Sequence, residues 1–263
     1  MTREPGMVEK VATVLRVLAS SSQSADLKTA EIARRCGIPR ATTHRLLTSL
    51  EHQGLAERDR RSGCWYLGPD VYLLGRAAAP RYDITSVGRE AVHRLALETG
   101  ESAFLSVRRG DETVCLIRED GSFPLRSFVL YEGARFPLGV VSAGLVTLAM
   151  MPDREVLDYL DRVDLASDWG QSHSRPELMA RLHETRRKGY AVNPGLVVEG
   201  SWGMAAAVFD DNGQPAWALT LTGVATRFQP GRQKELGRLL LDAAHNLTVS
   251  LQSSGTTVKG PHL

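Results

Sequence analysis

The chain has 263 residues, of which 43% are hydrophobic, and its formal net charge is +2 at pH 7. This length and apolar content predict one or two domains with a sizeable core. The sequence contains no run of about 18 apolar residues and no apolar signal-peptide core near its start, so we expect a cytoplasmic protein without membrane association.

The positive charge is concentrated at one end of the chain. Residues 1–76 hold 12 Lys and Arg against 8 Asp and Glu, whereas the remainder holds 20 against 22. A basic segment next to a near-neutral one predicts a nucleic-acid-binding module joined to a second domain.

Residues 29–47, which follow an amphipathic helix predicted over 8–20, predict two helices joined by a tight turn. Gly37 supplies the left-handed residue that ends the first helix. In the second helix the spacing i, i+3, i+4, i+7 gives a buried side made of Thr43, Leu46, Leu47 and Leu50. The exposed side near the start of this helix carries Arg40, Ala41, Thr42, His44 and Arg45.

A helix with this exposed side, placed after a short Gly-containing turn, is typical of a recognition helix in a DNA major groove. Arg40 or Arg45 can reach guanine O6 and N7. The helix pair alone also fits an ordinary helical hairpin with a solvated basic face. Residues 53–68 favour DNA binding because they predict a short strand, a charged turn and a second strand. The arginines of this wing, which can lie along the phosphate backbone, are Arg58, Arg60 and Arg61.

Four short stretches carry a family signature: Gly37 to Thr42, Arg45 to Leu47, Gly54-Leu55, and Gly63 to Gly68. Together they resemble the winged helix-turn-helix of IclR-family transcriptional regulators. Ala41 stands where that family commonly has Ser, which removes one hydroxyl from the expected DNA face, and Trp65 stands where it commonly has Tyr. The resemblance implies a DNA-binding domain over residues 8–69 whose partner is double-stranded operator DNA.

Residues 70–82 predict a connector helix that is apolar around much of its circumference. Such a helix would not remain exposed to water. It must pack on its own chain or on a second copy, and we favour the second copy because a helix between two domains has few surfaces of its own chain to use. We therefore expect a homodimer, and the family resemblance implies that a dimer of dimers can form.

Residues 83–253 mix helices and strands, which predicts an α+β domain. The predicted strands of its first half are 103–107, 113–118 and 125–130, and a Gly-rich loop, 136–144, follows them before a helix. This pattern resembles the effector-binding domain of the same family, which has a GAF-like fold. We expect residues 254–263 to form a disordered tail.

Two features of this domain indicate a ligand. The loop Ser142-Ala143-Gly144 leads into a helix, whose free N–H groups and positive end favour an anion such as a carboxylate. Thr220 and Thr222 alternate with leucines, so both hydroxyls share one face of a strand. Hydroxyls on that face indicate either a polar ligand or a cross-strand hydrogen-bonded pair, and the spacing leaves both open.

The family resemblance favours the ligand. It implies a pocket lined by the positions that match Ser142, Ala143, Asn193, Gly203, Thr220 and Thr222. The apolar walls are expected from Leu125, Phe128 and Phe136, although phenylalanine also fits an ordinary core. Such walls suit an aromatic or short aliphatic organic acid. No positively charged side chain is apparent for this pocket.

Motifs for catalysis are missing from the sequence. It contains no GxSxG, no HExxH and no Cys paired with a plausible His, so we expect no enzyme, no metal and no cofactor. The isolated histidines, which we expect at the surface or satisfied in the core, are His93, His173, His183 and His245. The sequence therefore predicts a ligand-responsive transcription factor. The alternatives are an enzyme acting on a small organic acid with an appended DNA-binding domain, and a constitutive DNA-binding protein whose second domain only oligomerises.

Overall fold

The computed structural model describes residues 5–20, 27–79 and 84–253. The chain divides into two compact units, Met1–Pro80 and Arg81–Leu263. The predicted tail, 254–263, lies outside the described residues. Among the described helices, none is both long enough and apolar enough to cross a membrane.

The first unit is a winged helix-turn-helix, as the sequence predicts. Its elements are α1 (Met7–Ser20), α2 (Thr29–Cys36), α3 (Arg40–His52), β1 (Ala56–Arg58), β2 (Trp65–Leu67) and α4 (Pro69–Ala78). The two strands pair antiparallel. Val14 of α1, Ile32 of α2, Leu47 of α3 and Trp65 of the hairpin are buried in one core, so α3 and the wing are held on a common base.

The turn between α2 and α3 has the predicted geometry. Gly37 is left-handed, with φ of 64°, and ends α2. The Ile38 N–H then donates to the Ala33 carbonyl over 3.1 Å. The buried Thr43 hydroxyl donates to the Pro39 carbonyl over 3.2 Å, so the buried side of α3 carries no unpaired polar group at this position.

The second unit has an α+β fold built on one antiparallel sheet. Its helices are α5 (Ile84–Thr99), α6 (Ser142–Ala149), α7 (Asp153–Arg162), α8 (Leu165–Trp169), α9 (Arg175–Lys188) and α10 (Pro230–Ser253). Its strands are β3 (Ser102–Arg109), β4 (Glu112–Glu119), β5 (Arg135–Pro137), β6 (Tyr190–Pro194), β7 (Ser201–Phe209) and β8 (Pro215–Val224). The sheet order is β5-β4-β3-β8-β7-β6, and every neighbouring pair is antiparallel.

The two faces of this sheet bury different side chains. Leu105, Leu219 and Leu221 pack with α5 and α10 on one face. The opposite face has small residues, including Ala205 and Ala207, which pack with α6. Because strand residues alternate, Thr220 and Thr222 belong to this second face.

The predicted strand over 125–130 is wrong. Cys115 of β4 donates its N–H to the Ala134 carbonyl over 3.0 Å and accepts the Gly133 N–H over 2.8 Å. β5 then continues along the same edge. Because residues 133–137 occupy the ladder positions beside β4, residues 125–130 form an irregular segment instead.

The predicted Gly-rich loop is also shorter than expected, because α6 starts at Ser142. The Leu145 N–H already donates to the Val141 carbonyl over 2.9 Å. Gly144 lies inside the first turn, where a Cβ would stand 3.0 Å from the Pro137 carbonyl oxygen. The glycine therefore permits close packing against the chain that leads into α6.

Candidate effector cavity and DNA-binding surface

A small cavity lies where the first turn of α6 meets β7 and β8. Its volume is about 30 Å³. Thr220 and Thr222 of β8 face Ser142 and Ala143 of α6 across it. Its lining is Val129, Leu130, Val141, Ser142, Ala143, Asn193, Val197, Ser201, Trp202, Gly203, Thr220 and Thr222. This lining contains no charged side chain.

The two threonine hydroxyls distinguish this cavity from ordinary core. Thr220 is 0% exposed and Thr222 is 7% exposed. Neither Oγ1 has a hydrogen-bond partner within residues 5–20, 27–79 and 84–253. This excludes the cross-strand hydrogen-bonded pair. A buried hydroxyl without a protein partner is costly, so both side chains are suited to a polar group that enters the cavity.

Gly203 keeps open the space beside α6. It lies opposite Thr222 in the pairing of β7 with β8. A Cβ at this position would stand 2.9 Å from the Ser142 Oγ. The backbone of β7 therefore forms the wall here, and the positive end of α6 faces a cavity of neutral groups.

Asn193 lines the cavity, but its amide is engaged by the protein. The Nδ2 atom donates to the Val140 carbonyl over 2.7 Å. The Oδ1 atom accepts the Leu196 N–H over 3.1 Å. The side chain thus ties the turn before α6 to the loop that follows β6.

His173 contacts the same turn from the other side. Its side chain is buried, and its Nε2 atom lies 3.3 Å from the Val140 carbonyl oxygen. Its Nδ1 atom lies 3.0 Å from the Trp169 carbonyl oxygen. Burial lowers the pKa of His173, and the positive charge of Arg181 lowers it further. His173 is therefore a satisfied core histidine that supports the start of α6.

Arg181 of α9 has an unusual environment. Its three guanidinium nitrogens are buried and have no hydrogen-bond partner in the part of the chain that the structure describes. Burial lowers its pKa. It does not line the effector cavity, so the cavity has neutral walls although a positive charge influences His173 nearby.

We expect His173→Gln to reduce the loss of stability on acidification. The folded state holds the pKa of His173 below its ordinary value of 6.5, so the unfolded state takes up the proton first as the pH falls. The stabilisation is present above the unfolded pKa and is lost as the pH drops below it. Thermal denaturation between about pH 7.5 and pH 5.5 should show a smaller change for the variant. His183→Gln, on the exposed side of α9, is the control, and an equal effect of both variants would contradict this role.

The predicted apolar walls lie elsewhere. Leu125 is 63% exposed and Phe128 is 73% exposed, and neither lines the cavity. Phe136 packs on Trp169, with ring centroids 5.7 Å apart. Because residues 125–130 are not a strand, their side chains do not alternate inward as predicted. The apolar walls are instead Val129, Leu130, Val141, Val197 and Trp202.

The exposed side of α3 is basic and unpaired. Arg34 and Arg35 of α2 are both tied to Glu31. Arg40 and Arg45, by contrast, have no acidic partner within residues 5–20, 27–79 and 84–253. The predicted contact residues Arg40, Ala41, His44 and Arg45 are exposed, and Thr42 is half-buried.

The wing is a rigid hairpin with arginines at its tip. The Asp59 Oδ1 accepts the N–H groups of Arg61 over 2.6 Å and Ser62 over 3.1 Å. These bonds, that of Ser62 first, hold the pKa of Asp59 below its ordinary value. Arg58 lies over the Trp65 ring, 5.6 Å from its centroid, and Arg60 and Arg61 are exposed.

Two family models cover most of the chain. The IclR helix-turn-helix domain matches residues 7–60, and the C-terminal domain of bacterial transcriptional regulator IclR matches residues 76–249. The chain belongs to the IclR family. It is a transcriptional regulator of that family with a helix-turn-helix DNA-binding domain, which confirms the family predicted from the sequence.

Relatives of this IclR-family chain span nearly its whole length. The HTH-type transcriptional repressor AllR of Klebsiella pneumoniae is 29% identical over 245 residues, which cover 93% of this chain and 89% of the relative. The transcriptional repressor IclR of Escherichia coli K12 is 25% identical over 248 residues, with 93% and 90% covered. An IclR homologue from Microbacterium hydrocarbonoxydans, solved in complex with 4-hydroxybenzoate, has a TM-score of 0.74 at 21% identity, with 94% and 100% covered.

Proposed function

We propose that this IclR-family regulator binds operator DNA through α3 and the wing, and that a small organic acid in the cavity between α6 and β8 changes its affinity for DNA. The effector can shift this affinity by no more than its preference for one arrangement of the protein over the other. Turnover of the acid forms no part of the proposal.

The observation that carries the effector site is the pair of unpartnered hydroxyls. Thr220 and Thr222 are buried and lack a partner in the described residues, and they face the first turn of α6. Hydroxyl donors and the free N–H groups at a helix start together suit a carboxylate. The complex of the Microbacterium hydrocarbonoxydans homologue with 4-hydroxybenzoate also supports a carboxylic acid as the class of ligand.

The DNA-binding side rests on the free arginines. Arg40 and Arg45 can donate to guanine edges, while Arg58, Arg60 and Arg61 suit phosphates. Two copies would place two recognition helices in successive major grooves of a roughly palindromic site. The helix α4 supports pairing of two copies, since none of its residues is buried and its Tyr72, Leu73 and Leu74 are exposed.

Mobility-shift assays on the DNA upstream of the regulator's own gene test this function. Purified full-length protein should retard that DNA, and a set of carboxylic acids should include at least one that changes the retardation. The same acid should raise the melting temperature with concentration and be recovered unchanged. Failure to bind duplex DNA at low salt, or conversion of the acid, would overturn the proposal.

We expect Arg60→Ala/Arg61→Ala to weaken binding to every duplex by a similar factor. Each lost phosphate contact releases about one fewer counterion, so the slope of log affinity against log salt concentration should fall by about 2. Titrations of operator and random duplex at several salt concentrations measure this slope. An unchanged slope would place both arginines outside the DNA interface.

A further inference from the structure

An apolar groove lies directly outside the effector cavity. Its volume is about 520 Å³, and Val129 and Ser201 line both spaces. The side chains that line the groove alone include Phe128, Val198 and Val224. Phe128 is 73% exposed and Val198 is 52% exposed, so this is a large apolar surface next to a small polar chamber.

The inner cavity is too small for a whole effector of ordinary size. Its volume of about 30 Å³ corresponds to about two water molecules, because one needs at least about 10–15 Å³ measured in this way. A carboxylate head fills such a space, whereas an aromatic ring does not. Any further part of a ligand whose head contacts Thr220 and Thr222 must therefore leave the cavity.

The boundary between cavity and groove is a single side-chain contact. The Ser127 Oγ lies 2.6 Å from the Ser201 Oγ, and this bond joins the irregular segment 125–130 to the start of β7. Ser201 lines both spaces. A bond between two neutral hydroxyls is among the weaker contacts in a protein, so a ligand that passes from cavity to groove displaces little.

The groove has a positioned aromatic wall. The guanidinium of Arg118 lies 5.8 Å from the centroid of the Phe128 ring, and Arg118 itself is paired with Asp120 over 2.7 Å. Arg126, on the groove, is paired with the same carboxylate over 2.9 Å. Both cations near this wall are thus engaged with Asp120, which leaves the apolar side chains as the main contact surface.

We propose that the groove lined by Phe128, Val198 and Val224 is the tail subsite of the effector, and that the ligand class is a carboxylic acid with an extended apolar tail. The head lies against Thr220 and Thr222, and the tail crosses the Ser127–Ser201 contact into the groove. This inference rests on the proposed effector function. A docking surface for another protein would share the exposed groove but would have no use for the polar chamber behind it.

Isothermal titration of the full-length protein with linear monocarboxylates from acetate to octanoate tests the tail subsite. Each methylene buried in the groove should tighten binding by roughly 3- to 4-fold. Phe128→Ser and, separately, Val198→Ser should flatten this dependence on chain length while retaining the affinity for the short acids. Tyr131→Ser, which removes an exposed ring outside the groove on the adjoining loop, should behave as the wild type.

The outcomes separate the two proposals. Binding of short acids without any gain from chain length, or a gain that persists in both Phe128→Ser and Val198→Ser, would overturn the tail subsite alone. Absence of binding by every acid of the series would overturn the tail subsite together with its class of ligand, while an effect of branched or aromatic acids on DNA retardation would still uphold the effector function.

Discussion

Thr220→Val/Thr222→Val should abolish the response to the effector while the unliganded protein keeps its stability and DNA affinity. Valine preserves the branched shape of threonine and removes only hydroxyls that have no partner in the described part of the chain. A hydrogen bond to a charged acceptor contributes about 1.5–3 kcal/mol. Loss of two such bonds corresponds to a decrease in affinity of roughly 100-fold or more.

Titration calorimetry with the effector and mobility shifts with and without it measure both halves of this expectation. Ser106→Ala is a matched control, because the buried Ser106 Oγ also lacks a partner among the described residues but does not line the cavity. A normal response in the double valine variant, or an equal loss in Ser106→Ala, would show that the effector binds elsewhere.

Arg45→Ala should lower the affinity for the operator by about 1–3 kcal/mol, or roughly 5- to 150-fold, with a much smaller loss on random duplex. Arg45 is exposed on α3, where a guanidinium can donate two hydrogen bonds to one guanine. A base contact is lost only at the specific site, which is why the two DNA targets should differ.

Fluorescence anisotropy with both duplexes at one salt concentration gives this comparison. Arg34→Ala is the control, since Arg34 is exposed in the same unit but is already neutralised by Glu31 over 2.7 Å. Equal losses of operator and random affinity in Arg45→Ala would make Arg45 a phosphate contact, and base recognition would then pass to Arg40, Thr42 or His44.

The DNA-binding unit could be predicted in detail because its signals are local. The left-handed Gly37, the spacing of Leu46, Leu47 and Leu50, and the charged turn at Asp59 each act within a few residues. The exposed and buried sides of α3 follow directly from a helical period. The roles of its arginines on DNA stay predictions.

The effector cavity could be predicted only in part, because its walls come from distant segments. The alternation in β8 placed both threonine hydroxyls on one face, and the family resemblance added Gly203 and Asn193. Nothing local shows that residues 133–137 displace 125–130 from the sheet edge, or that the amide of Asn193 is engaged by Val140. For this reason Trp202 and Val197 were missed, while Leu125 was expected inside.

The uncharged lining of the cavity decides how acidity would reach the regulator. With no ionisable group among its walls, the protein has no proton of its own to exchange when an acid enters. Above neutral pH, the strength of the signal would follow the fraction of the metabolite that is ionised. A cell would then read the protonation of its metabolite through this sensor, and the sensor itself would add no titration to that reading.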